Sequence, residues 1–83
     1  MASRVEYKSS VAKDLRRLDK KEARRVLKEL EDALRADPDC GEPLKGRFKG
    51  FLKLRIGDYR VIYARTEDGV LVLRIGQRKS VYR

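Results

Sequence analysis

Five side chains in the C-terminal half of the chain have types and spacing suited to a phosphate-rich ligand: Lys53, Arg55, Arg60, Arg78 and Tyr82. Alternate residues of an extended strand share a face. Lys53 and Arg55 therefore leave one side of the stretch Phe51–Ile56, and Leu52, Leu54 and Ile56 leave the other. In the next stretch, 59–65, Arg60, Ile62 and Ala64 share a face while Tyr59, Val61 and Tyr63 share its opposite. A turn at Gly57-Asp58 places Arg60 beside the Lys53/Arg55 rank. Arg78 and Tyr82 follow the last strand and close the same surface from its end. Fixed cations and a phenol on an open sheet face suit single-stranded RNA, through phosphate contact and base stacking.

The bland alternative is that exposed Lys and Arg only solvate a face and that a terminal Tyr packs. Charge segregation weighs against it. Residues 1–42 carry eleven Lys/Arg and ten Asp/Glu, whereas residues 43–83 carry eleven Lys/Arg and only Asp58, Glu67 and Asp68. The formal net charge of +9 thus resides almost wholly in the second half. Like charges on adjacent strands repel, so such a cluster without acids points to an anionic partner. With no histidine and the single cysteine Cys40, the chain has almost no ligands for a transition metal, and no metal or other cofactor is expected. The lone cysteine also rules out an internal disulfide and suits a reducing cytoplasm. No apolar run approaches the ~20 residues of a membrane span, and residues 1–6 lack the apolar core of a signal peptide.

These side chains need a scaffold, and residues 1–83 are expected to form a single domain. Arg4–Tyr7 alternates as a short strand. Val11, Leu15 and Leu18 then recur at helical spacing, with Ser10 as the expected N-cap. Asp19-Lys20-Lys21-Glu22 resembles a capping box opening a second helix, whose stripe is Ala23, Val26, Leu27, Leu30, Ala33 and Leu34. Asp37-Pro38 ends it. Residues 36–50, with two prolines and three glycines, read as a loop. Strands follow at Phe51–Ile56, 59–65 and 70–75; Glu67-Asp68-Gly69 forms a hairpin turn with Gly69 in a left-handed conformation. The expected fold is α+β: a small antiparallel sheet in the order β-α-α-β-β-β, with an N-terminal helical hairpin on one face.

Three segments carry a family resemblance: Leu44-Lys45-Gly46, the run from Phe51 to Tyr63 (FLKLRIGDYRVIY), and the run from Arg74 to Arg83 (RIGQRKSVYR). In this order and spacing they resemble the RelE branch of the RelE/ParE toxin superfamily, and the resemblance spans nearly the whole chain. It implies a toxin of a type II toxin–antitoxin module that enters the ribosomal A site and cuts mRNA without a metal, by attack of the ribose 2′-OH on the adjacent phosphate. It further implies a cognate acidic antitoxin in a hetero-oligomer, ribosome and mRNA as targets, and no membrane.

By the same resemblance, Lys53 matches the position that assists removal of the 2′-OH proton, and neighbouring Arg55 and Arg60 favour its neutral form. Arg60 matches the arginine that stabilises the phosphorane, Arg78 the one that helps the 5′-oxygen leave, and Tyr82 the tyrosine that stacks on an mRNA base. Lys45 falls where the family often has a basic residue near the RNA backbone. Arg47, Lys49, Arg55, Lys79 and Arg83 complete the expected RNA contacts. Phe51 and Gln77 depart from the pattern, standing where relatives have a second lysine and a histidine, and the spacing from Arg78 to Tyr82 is shorter than in some members. These departures point to a slow enzyme and leave the general base open. Two other readings stand beside the ribonuclease: a catalytically weak or inactive protein of this fold that only binds RNA or antitoxin, and a ParE-like poison of DNA gyrase.

Overall fold

The computed structural model describes residues 4–77, so the expectations for Arg78, Lys79, Tyr82 and Arg83 lie outside the described residues. Strand β1 (Arg4–Tyr7) leads into helix α1 (Ser9–Arg16) and helix α2 (Lys20–Ala36). A two-residue strand β2 (Glu42–Pro43), a 3-10 turn (Gly46–Phe48) and strands β3 (Phe51–Ile56), β4 (Tyr59–Arg65) and β5 (Gly69–Gln77) follow among the described residues. The sheet order is β1-β5-β4-β3-β2.

The α+β architecture matches the expectation, with one exception in strand direction. Pairs β2–β3, β3–β4 and β4–β5 are antiparallel, but β1 runs parallel to β5. The two helices form a crossover long enough to return the chain to a parallel neighbour. Residues 36–50 are also more ordered than a loop, because Glu42 and Pro43 pair with Lys53 and Leu52.

One core lies between the helices and one sheet face. Val11 of α1 and Val26, Leu30 and Leu34 of α2 meet Ile56, Tyr59, Val61, Tyr63, Val70, Val72 and Ile75. Val26, Leu30 and Leu34 recur every fourth residue, the spacing that keeps one helix stripe inward. Truncating Leu30 or Leu34 to Ala in such a core costs about 2–5 kcal/mol.

Several polar roles differ from the sequence expectation. Lys8, not Ser10, occupies the N-cap of α1, and the Ser10 hydroxyl donates to the Leu73 carbonyl at 2.7 Å. Asp19 does sit at the N-cap of α2, but its side chain makes no capping bond; its carbonyl accepts from Ala23 N–H at 2.9 Å. Gly69 is not left-handed; positive φ occurs at Gly46, Gly50 and Gly57. Its lack of a side chain serves packing, since a Cβ there would lie 1.9 Å from the Arg4 carbonyl oxygen and exclude β1.

Asp14, buried on α1, holds an irregularity in β5. The β4–β5 register shifts between Ile62 and Tyr63, which face Arg74 and Val72 and leave Leu73 as the extra residue. Asp14 accepts from the Arg74 guanidinium at 3.0 and 3.2 Å and from Ile75 N–H at 2.9 Å. Its lone pairs are thereby satisfied in a site that would otherwise be costly for a carboxylate.

Tyr63 is fully buried and ties down the segment after α2. Its hydroxyl donates to the Pro38 carbonyl at 3.0 Å and accepts from Gly41 N–H at 2.9 Å. A Cβ on Gly41 would lie 2.7 Å from that hydroxyl and 2.8 Å from the Lys53 carbonyl oxygen. Gly41→Ala is therefore expected to cost about 1–3 kcal/mol by overpacking. Tyr63→Phe is expected to cost a similar amount, because it strands two backbone groups. Urea midpoints measure both, and an unchanged midpoint for Gly41→Ala would refute this closure.

The buried phenols also set an alkaline limit. Burial, then the hydrogen bond to Glu31, raises the pKa of Tyr7, and burial pushes Tyr63 up to about 12. An unfolded tyrosine ionises near 10. Between about pH 10 and 12 the unfolded chain therefore binds fewer protons than the folded one, and stability falls as pH rises. Thermal midpoints are expected to be flat from pH 8 to 9.5 and to drop above about pH 10, less steeply in Tyr63→Phe.

Candidate functional site

The β3–β4 hairpin carries the cationic centre. Gly57, at φ +58, makes the turn possible without side-chain strain. The register then sets Arg55 directly opposite Arg60 and Lys53 opposite Ile62. On the helix side the hairpin is clamped, because the Tyr59 hydroxyl donates to the Glu22 carboxylate at 3.3 Å. Burial, followed by the Glu22 charge, raises the pKa of that phenol. Arg25 in turn bonds Glu22 at 2.8 Å and holds its carboxyl below the usual carboxylate range.

Lys53, Arg55 and Arg60 line a cleft of about 310 Å³ together with Leu54 and Glu42. Glu42 was absent from the sequence expectation. β2 places it opposite Lys53, and its carboxylate lies 3.9 Å from the Lys53 ammonium. The carboxylate is mostly exposed and Lys53 is one-third exposed. Lys53 thus faces a carboxylate on one side and two guanidinium-bearing residues on the other, so the Arg55 and Arg60 charges do not act on it alone. No periodicity signals a two-residue strand; an acid just ahead of a cationic run was the available hint.

The other expected contacts are dispersed. Lys45, Arg47 and Lys49 are exposed on the segment between β2 and β3, closed at its base by Leu44 N–H donating to the Phe51 carbonyl at 2.9 Å. They flank the hairpin and do not line the cleft. Phe51 is half-buried, and Gln77 ends β5.

Fold and cleft together define a small α+β protein that covers one sheet face with helices and presents an exposed cationic hairpin. The model of the ParE toxin of the type II toxin–antitoxin system, parDE, matches residues 5–82. The toxin RelE of Mycobacterium tuberculosis is 35% identical over 83 aligned residues, covering 95% of this chain and 84% of that protein. The RelBE2 toxin–antitoxin complex of M. tuberculosis superimposes with a TM-score of 0.85 and 25% identity, covering 94% of this chain and all of that one. The archaeal RelE–RelB complex of Pyrococcus horikoshii gives a TM-score of 0.70 at 30% identity, over 98% of this chain and all of that one. YafQ of Escherichia coli shares the fold, with a TM-score of 0.75 at 21% identity over 98% of this chain and 99% of that one. The chain belongs to the RelE/ParE superfamily of type II toxin–antitoxin toxins.

The Arg55/Arg60 pairing has a measurable consequence. Like charges directly across a sheet are destabilising, by roughly 0.2–1 kcal/mol. Arg55→Gln is expected to raise stability by that order, read as a higher urea midpoint, and to lower affinity for a short single-stranded RNA. Simultaneous loss of both would contradict the assignment of Arg55 to ligand and not to fold.

Proposed function

We propose that the protein is a ribonuclease toxin that cuts mRNA on the ribosome. The observation that carries this reading is the convergence of Lys53, Arg55 and Arg60 in one cleft, with two arginines held in direct cross-strand register. Such a pairing is costly in the free protein and favourable around a phosphate. The 2′-oxygen of one ribose forms a bond to the adjacent phosphorus and the bond to the 5′-oxygen breaks, leaving a 2′,3′-cyclic phosphate. Arg60 offsets the extra charge on the phosphorane. Lys53 assists removal of the 2′-OH proton, and the Glu42 carboxylate beside it in the cleft accepts that proton. Arg78 assists the departing 5′-oxygen by its charge, because a guanidinium is a poor proton donor, and that oxygen takes its proton from water to leave as a 5′-hydroxyl. Tyr82 stacks on a base. The chemistry needs no metal, which suits a chain without histidine.

We also infer an acidic antitoxin that covers the cationic face, because the similar M. tuberculosis structure is a toxin–antitoxin complex and that from P. horikoshii a RelE–RelB complex. A gyrase poison is the second reading, favoured by the ParE description of the matching family.

Primer extension on translating ribosomes separates these readings. The wild type is expected to produce discrete mRNA breaks, and Arg60→Ala and Arg78→Ala to cut about 10²–10³-fold more slowly. Wild-type cutting by Arg78→Ala would remove that residue from the site. Growth arrest that survives neutralisation of Lys53, Arg60 and Arg78 would move the function to gyrase.

A further inference from the structure

A second cleft, of about 330 Å³, opens between the end of α1 and the end of β5. Its origin is geometric. β1 pairs with β5 only as far as Tyr7 opposite Val72. The chain then satisfies the continuing edge of β5 from α1: Lys8 N–H donates to the Val72 carbonyl, Ser10 to the Leu73 carbonyl, and Asp14 accepts from Ile75. Helix α1 ends at Arg16, whereas β5 runs on to Gln77, and a gap remains beneath Arg17 and Leu18.

The lining fits one chemistry. Leu18 supplies apolar surface, Gly76 leaves room over the strand, and Gln77 brings a side-chain amide. Arg17 is exposed, and Asp14 orients the half-exposed guanidinium of Arg74 through Nε and Nη2. Two arginines less one aspartate leave a single positive charge, which matches the single negative charge of a phosphodiester. The volume lies at the lower end of small-ligand pockets, about 300–1,000 Å³, and suits one nucleotide. Gly76, which lines this cleft, is the register partner of Arg60, which lines the first, so one cross-strand pair contributes a residue to each cleft.

We propose that this second cleft is a nucleotide subsite. It holds the residue of a single-stranded RNA next to the phosphate bound at Arg60, with phosphate on Arg17 and Arg74 and the base over Leu18, its edge toward Gln77. This rests on the RNA reading above, and it extends the contact surface from the hairpin to the edge of β5.

The test is fluorescence anisotropy with 5′-fluorescein ribotetranucleotides of each base at low salt, which needs neither ribosome nor cleavage. Arg17→Ala is expected to weaken binding about tenfold and to reduce the slope of log K against log salt by about 0.7, the value for one lost contact to a single strand. Gln77→Ala is expected to alter the ranking of the four bases. Lys28→Ala, which removes one exposed charge from α2, is expected to do neither. An Arg17→Ala variant that behaves as Lys28→Ala overturns the proposal. So does a wild type that binds uridine monophosphate as tightly as the tetranucleotide, since the pocket would then be independent of the strand. Equal losses for RNA and poly-L-glutamate would reduce it to a general anion site and also overturn it. If Arg17 governs RNA affinity but ribosomes show no mRNA breaks, the subsite stands and the ribonuclease reading falls. If breaks occur and Arg17→Ala has no effect on RNA affinity, the reverse holds.

Discussion

The two-residue period of a strand forces a single choice on each of β3 and β4, and on β5 up to its extra residue Leu73. Once Leu52, Leu54 and Ile56, Val61 and Tyr63, and Val70 and Val72 pack beneath α1 and α2, their neighbours must emerge on the other face. Lys53, Arg55 and Arg60 are among those neighbours. The core and the cationic face are therefore one pattern seen from two sides, and a one-residue register slip would bury the charges and expose the core together. Burial of the Tyr59 and Tyr63 rings opposes that slip from the core side.

The clefts exist because three local devices set the limits of regular pairing. Tyr63 and Gly41 draw the segment after α2 against β3, which allows the two-residue strand that presents Glu42. Gly69 admits the Arg4 backbone at close range, so β1 completes one edge of the sheet. Asp14 absorbs the extra residue of β5, bonding Ile75 N–H and Arg74 at once. Each device relies on a small residue or a satisfied buried polar group in place of further hydrophobic area, which a chain of 83 residues has little room to add.

The cationic face gives up stability in the free protein. Arg55 and Arg60 face each other across the hairpin, and among the described residues lining their cleft Glu42 brings the one carboxylate. An anion arriving there relieves repulsion as well as making contacts, so binding and folding are linked. The same electrostatics serve a phosphodiester and an acidic protein segment, which is why one face can be both the working surface of a toxin and the surface a partner covers.

Much of this was determined by sequence alone. The strand of Arg4–Tyr7, the two helices, the β3–β4 hairpin and the grouping of Lys53, Arg55 and Arg60 follow from hydrophobic period and turn chemistry, which act over a few residues. What the tertiary structure decided were relations between residues far apart in the chain. The parallel placement of β1 depends on Gly69, and the role of Ser10 depends on a β5 carbonyl 63 residues away, so local capping rules assigned that hydroxyl wrongly. The role of Asp14 exists only once β5 lies beside its helix. Glu42 counted with the near-neutral first half by its position in the chain, but pairing with β3 carries it into the basic cleft. Local period and charge are written in neighbouring letters, whereas register and partner are settled only when distant segments compete for the same hydrogen bonds and the same buried space.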